Sequence, residues 1–215
     1  AVMKESCRLG KIAEMAFERI DEMKVSELSA FTWAYGRLSH AGGGKMFDKS
    51  IGKKIWKIAE ERMVNELMSN LHTVDLRIAS TFSWSLARLY ENGLYDYNAD
   101  DLDGQKNCWW RVVANHPWGY EYCNTQDLAC LAWSLATLNH TSAMNKKVWN
   151  DILRYLKSFS SLTPGAVVML SWTAARFDCR NENFWSSIRR DVRLKEWPSE
   201  QIANFSWALT GFITL

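Results

Sequence analysis

Five segments of this chain carry one pattern around a tryptophan, and a pattern that returns at such spacing leaves few folds open. They are VSELSAFTWAYGRLSH around Trp33, DLRIASTFSWSLARLYE around Trp84, TQDLACLAWSLATLNH around Trp133, TPGAVVMLSWTAARFDC around Trp172 and SEQIANFSWALTGF around Trp207. Two residues before the tryptophan stands Phe31, Phe82, Leu131, Leu170 or Phe205, and five after it Leu38, Leu89, Leu138, Phe177 or Phe212. These slots are always large and apolar. The slot just after the tryptophan holds Ala34, Ser85, Ser134, Thr173 or Ala208, and the slot three after it Gly36, Ala87, Ala136, Ala175 or Thr210. These are kept small. A stripe at i, i+3, i+4, i+7 marks an amphipathic helix. Small residues beside a fixed indole let a neighbouring helix pack around it, so each copy predicts one socket with its tryptophan in the core.

Successive tryptophans stand 51, 49, 39 and 35 residues apart, mostly within the range in which a repeated period means stacked supersecondary units. A second series supports this. Trp110, Trp149 and Trp185 lie 23, 23 and 22 residues before Trp133, Trp172 and Trp207, and Trp56 lies 28 before Trp84. Each has an apolar partner three residues on: Val113, Ile152, Ile188 and Ala59. The predicted unit is therefore a helix pair, and the chain is all-α. Repeats start near residues 25, 75, 125, 163 and 199, and residues 1–23 form the second helix of a preceding unit. Residues 1–215 make a single helical-repeat domain.

In order, the spacing predicts helices over about 25–39, 47–71, 75–91, 107–115, 127–139, 146–159, 165–177 and 183–193, and a last one from Pro198 or Ser199 to Leu215. Thr73 or Asp75 caps the third of these. The stretch from Asn92 to Asn124 is irregular, with Asp96, Asp100, Asp101 and Asp103 in one acidic loop and turn chemistry at His116-Pro117-Trp118.

Composition bounds the partners. Lysine and arginine number 26 against 24 acids, for a net charge of +2, so an anionic partner must be met by a local patch. The five cysteines are scattered without a CxxC pair, which argues against a disulfide framework or a zinc site and for a reducing compartment. His72 and His116 have no ligand partners at metal spacing, and His40 and His140, each seven after its tryptophan, close helix ends. No run is long enough to span a membrane and no secretory signal opens the sequence. No enzyme pattern stands out. Gly42-Gly43-Gly44-Lys45 lacks the strand and spacing of a phosphate loop, and Glu60-Glu61 and Asp100-Asp101 lie on the surface without partner groups. No cofactor, metal or small-molecule substrate is expected.

The pattern (T/S/P)xx(L/I/V)AxxxWA(L/x)AxL, followed by a second amphipathic helix, resembles the octotricopeptide repeat. Related arrays occur in apicomplexan and dinoflagellate organellar proteins and in FAST-kinase-like proteins with RAP domains. The matches are clearest from Leu128-Ala129 to Leu138 and from Ile202-Ala203 to Thr210. The second repeat is stretched, the fourth has Gly165 and Val167-Val168 where the family prefers helix formers, and no RAP or nuclease motif is visible. The resemblance implies a right-handed α-solenoid of four to five repeats. It also implies action on RNA in mitochondria, or alternatively plastids, as a ribosomal component or an rRNA- or mRNA-stabilising factor beside other proteins.

Side chains nominate the contacts. Four residues after the tryptophan stand Arg37, Arg88, Thr137, Arg176 and Gly211, so three repeats place an arginine at one position, suited to phosphates or unstacked bases. The same arginines also suit helix C-termini, where a cation is favoured. Lys53, Lys54 and Lys57 with Arg62, and Arg189, Arg190 and Arg193, form two further basic groups on second helices. Nine tryptophans are assigned to the core. Trp118, Tyr120 and Tyr122, in loop chemistry, are the candidates for exposed stacking, although covering the end of the irregular repeat is the job their setting favours. The alternative function is a protein-binding solenoid scaffold that makes no RNA contact.

Overall fold

The computed structural model describes residues 11–12, 15–41, 49–69, 74–97, 108–118, 120, 123–139, 143–156, 159 and 162–210. The described residues are helical, without a strand. The chain divides into two compact units, Ala1–His116 and Pro117–Leu215. In each, helices pack as adjacent pairs.

The first unit holds a short 3-10 turn, Ile20–Glu22, and helices α1 (Val25–Ala41), α2 (Lys49–Ser69), α3 (Leu76–Glu91) and α4 (Trp109–Asn115). The second holds α5 (Thr125–Asn139), α6 (Ala143–Tyr155), α7 (Pro164–Arg176), α8 (Glu182–Asp191), a second 3-10 turn at Leu194–Glu196 and α9 (Ser199–Thr210). The socket helices lie side by side, α1 on α3 in one unit, α5 on α7 and α7 on α9 in the other. Their partners lie behind them: α2 contacts α1 and α4, and α6 contacts α5. This is the layering that two interleaved tryptophan series predict.

Local chemistry fixes the ends. Asp75 caps α3 by accepting from Ile78 N–H at 2.8 Å, Thr163 caps α7 by accepting from Ala166 N–H at 3.2 Å, and Asn181 caps α8 by accepting from Phe184 N–H at 3.1 Å. Of the two residues expected to cap α3, Asp75 takes the role. Asn124 accepts from Asp127 N–H at 2.8 Å, so α5 begins two residues earlier than its apolar spacing indicates. α3 ends where Gly93 enters the left-handed region at φ 67. There Leu94 N–H reaches Leu89 O and Gly93 N–H reaches Tyr90 O, both at 2.9 Å, which closes the last turn.

The small slots do what their size suggests. A Cβ added to Gly36 would lie 3.3 Å from the Ser85 Cα, so the slot three after one tryptophan lies against the slot one after the next. Two backbones meet there. Ser85, Ser134 and Thr173 are fully buried, and each hydroxyl donates to the carbonyl four residues back, Thr81, Cys130 and Met169, at 2.7, 2.6 and 2.8 Å. Hydroxyls thus fill a tight slot without an unsatisfied polar atom.

Three of the four second-helix tryptophans lie in the core. Trp56, Trp110 and Trp149 are buried, as are Ala59, Val113, Ile152 and Ile188. Trp185 is half-buried and donates its indole N–H to Cys179 O at 2.9 Å. Trp149 meets Phe184 edge-on at 5.6 Å, tying α6 to α8.

Three expectations are corrected. The socket tryptophans are not uniformly core: Trp84 and Trp133 are 8% and 7% exposed, whereas Trp33 is 46% and Trp207 66% exposed. Of the two readings of the loop rings, Trp118 and Tyr120 take the packing one: both are buried, not exposed stackers, and Tyr120 packs on Tyr155 at 5.7 Å. Glu60 is not a surface carboxylate. Its Oε2 accepts from Tyr95 O–H at 2.8 Å and its Oε1 from Trp109 N–H at 3.0 Å, so it joins α2 to α4. Burial pushes this carboxyl above its ordinary range, with the two hydrogen bonds opposing the shift. Glu61, its neighbour, is exposed.

Tyr122, His72, His140, the Gly42–Gly44 run, Asp100, Asp101 and Asp103 lie outside the described residues, as do residues 3–10, 13 and 14 of the opening helix expected from Met3. Of that segment, Ile20 is buried while Ile12 is 53% exposed.

Candidate nucleic-acid interface

A helix brings residue i+4 back over residue i, and side chains tilt toward the N-terminus. An arginine four residues after a tryptophan therefore reaches back over the indole. That geometry occurs three times. The guanidinium carbon of Arg37 lies 5.7 Å from the Trp33 ring centre, that of Arg88 5.5 Å from Trp84 and that of Arg176 5.4 Å from Trp172. All three fall within cation–π range, which is worth about 0.5–1 kcal/mol at an exposed site and more where water is excluded. The sequence places the arginines at one structural position. Their stacking on their own tryptophans was written in the same i, i+4 spacing and is the feature that periodicity alone leaves unread.

The three are graded in what else they touch. Arg37 is exposed and its tryptophan is nearly half open, and among the described residues Arg37 has no acidic partner. Arg88 is half-buried and bonded to Glu91 at 2.8 Å. Arg176 is exposed, and its tryptophan meets Trp133 with ring centres 6.1 Å apart. In the third repeat Thr137 replaces the cation and donates to Trp133 O at 2.9 Å. Gly211, the fifth, lies outside the described residues, and Trp207 is open to solvent.

This face can do two things chemically. A guanidinium held against an indole can still donate N–H groups to a phosphate oxygen. An exposed indole beside it offers an apolar plate on which a base can stack. Both need a single strand, whose bases are free to leave their own stack.

The second-helix cations are placed otherwise. Lys53 on α2 pairs with Asp96 at 2.9 Å, while Lys54 and Lys57 are exposed. On α8, Arg189 is bonded to Glu182 and to Ser186, and Arg190 forks onto Asp191 at 2.7 and 3.1 Å. Asp191 also accepts from Phe159 N–H at 3.2 Å, so the Arg190 fork belongs to a structural joint. Arg62 donates to the carbonyls of Ile20 and Met23 and fastens the first 3-10 turn to α2. Arg193 pairs with Glu196 at 3.5 Å. These groups stand on a different set of helices from the tryptophan–arginine pairs, and most of their charge is met within the chain.

Among the described residues no group of three or more histidine, cysteine or acidic side chains is arranged to hold a metal, and no helix is long and apolar enough to cross a membrane. Compared with known proteins, the chain matches no family model and no curated sequence.

Proposed function

We propose that this chain is an organellar RNA-binding helical-repeat protein whose socket helices contact single-stranded RNA through their tryptophan–arginine pairs. The observation that supports this reading is the threefold recurrence of a guanidinium laid on its own indole. A free arginine loses much rotamer freedom on binding a phosphate, and one already resting on a ring has lost part of it beforehand. With a net charge of +2, the chain has little long-range pull on a polyanion, so local pairs of this kind must carry the contact. The role is binding without catalysis.

The finer parts of the proposal rest on the resemblance to octotricopeptide repeats. They are a right-handed solenoid of four to five repeats, a mitochondrial rather than plastid setting, and work inside an assembly such as the mitochondrial ribosome or as an rRNA- or mRNA-stabilising factor. Near-neutral charge favours work beside other proteins.

Fluorescence anisotropy with a labelled single-stranded RNA at several salt concentrations tests the reading. Wild type should bind with an affinity that falls as salt rises, with a log–log slope near about −2 if three phosphates are met. The combined variant Arg37→Ala, Arg88→Ala, Arg176→Ala should lose at least about tenfold in affinity while keeping its helical circular dichroism. A folded triple variant that binds RNA as wild type does overturns the proposal. A chain that binds no RNA but captures a protein partner, insensitively to salt, would put the scaffold role in its place.

A further inference from the structure

Gly36, three after its tryptophan, lies against Ser85, one after the next, so one side of α1 meets the opposite side of α3. On a helix the slots one before and three after the tryptophan share the first side, and the slots two before, one after and five after share the second. Each side is buried in most socket helices, and each has one exception. One before the tryptophan, Thr32, Ser83, Ala132 and Ser171 are buried, whereas Ser206 on α9 is exposed. Three after it, Gly36, Ala87, Ala136 and Ala175 are buried, whereas Thr210 is exposed. The second side is buried in every described slot of the other four sockets, but Phe31, Ala34 and Leu38 of α1 are only half-buried. Thus α9 leaves open the side that α1 turns to α3, and α1 leaves open the side that α3 turns to α1.

An apolar groove flanks each open side. Beside α1, Ile12, Met15, Met23 and Phe31 line a groove of about 540 Å³, with Ile12 53% and Met15 66% exposed. Its charged lining is acidic on balance: Glu18, Glu22 and Glu27 against Arg19, which is bonded to Glu22 at 2.8 Å. Between α8 and α9, Ile188, Val192, Leu194, Phe205 and Leu209 line a groove of about 450 Å³. Its charged lining residue is Arg189, bonded to Glu182. Lys195, next to Leu194, is exposed and has no acidic partner among the described residues.

We propose that a second copy of this chain closes both sides, head to tail. α9 of one copy lies beside α1 of the next, with Thr210 against Ala34 as Gly36 lies against Ser85. The segment of that next copy bearing Ile12 and Met15 lies in the groove between α8 and α9 and serves as the second helix of the pair. Apolar surface leaves water on both sides, and the acids of one groove meet the cations that border the other. Two different surfaces meet, so the contact is heterologous and repeats from copy to copy until it closes. The tryptophan slot belongs to neither side, so the contact stands or falls independently of RNA binding.

Sedimentation of the full chain across a range of concentrations tests this. Wild type should form species larger than one chain as concentration rises. Met15→Lys blocks the head and Ser206→Glu the tail, each by placing a charge in a contact that excludes water and already carries that sign. Both side chains are exposed, and circular dichroism checks folding. Each variant alone should self-associate at least about tenfold more weakly than wild type. An equal mixture should give a species of two chains and none larger, because the free tail of one meets the free head of the other. A second measurement leaves the contact intact. A Cβ at position 36 would lie 3.6 Å from that of Ser85, within the disulfide range of about 3.5–4.5 Å. An Ala34→Cys copy mixed with a Thr210→Cys copy should therefore be joined at those two positions under mild oxidation. A wild type that stays a single chain throughout, or a blocked variant that self-associates as wild type does, overturns the proposal. So does a mixture without the two-chain species, or the absence of a join between positions 34 and 210.

Discussion

Five tryptophans in one sequence context range from buried, through the half-buried Trp172, to exposed. Trp133, 7% exposed, is a core residue, and Trp207, 66% exposed, is a surface plate. Trp133→Ala should cost about 3–5 kcal/mol in urea denaturation. Trp207→Ala should cost under about 1 kcal/mol. Similar losses for the two would show that the exposed ring is covered in solution. The sequence could not separate them, because the neighbouring slots set the helix and its inward face, while burial of the ring depends on what another helix lays over it. Glu60 was illegible for a related reason: its partners Tyr95 and Trp109 lie 35 and 49 residues away. Because burial raises its folded-state value above the ordinary 4.5, the folded chain holds the Glu60 proton more tightly than the unfolded one. Its contribution to stability is fully present below the unfolded value and is lost as pH rises through the folded value. Glu60→Gln should therefore narrow the gap in stability between mildly acidic and neutral pH, read as urea midpoints. An unchanged gap would mean that the carboxyl is well hydrated.

At the scale of the helix, the small slots were the legible feature and their pairing was the hidden one. Periodicity identifies Gly36 and Ser85 as small. Only the packed helices show that they face each other across α1 and α3, where an added Cβ would lie 3.3 Å from the Ser85 Cα and anything larger would meet backbone. Gly36→Val should destabilise the first unit by about 1–3 kcal/mol, because backbone atoms of a buried helix cannot step aside as a flexible side chain can. Gly36→Ala should stay near neutral, since about 1 kcal/mol of helix propensity offsets the crowding of one methyl. Thermal unfolding followed by circular dichroism reads both, and a Val variant as stable as wild type would show that α1 and α3 stand further apart. Helix starts were legible at Asp75, which caps α3, and at Ser199, where α9 begins. They were less so at α6, expected over 146–159 and found over Ala143–Tyr155, where apolar spacing gives the face but not the stop.

Across the whole chain, two compact units use the same device, a socket helix with an indole and, in three of the helices, a guanidinium laid over it. The all-helical architecture and the pairing of helices follow from tryptophan spacing, because a repeated apolar stripe has few ways to bury itself. The candidate contacts were legible as arginines at one position of the repeat. Their placement over the tryptophans was not, because a list of positions does not say which way a side chain turns. Ultraviolet crosslinking of the protein to a photoreactive single-stranded RNA, with the joined peptides identified by mass spectrometry, locates the contact. Adducts should concentrate on the socket helices, foremost in the peptide bearing Trp33 and Arg37, and then in those bearing Trp172 with Arg176 and Trp207. Adducts confined to the lysines of α2 or the arginines of α8, or none above background, would contradict the tryptophan–arginine pairs as the RNA contacts.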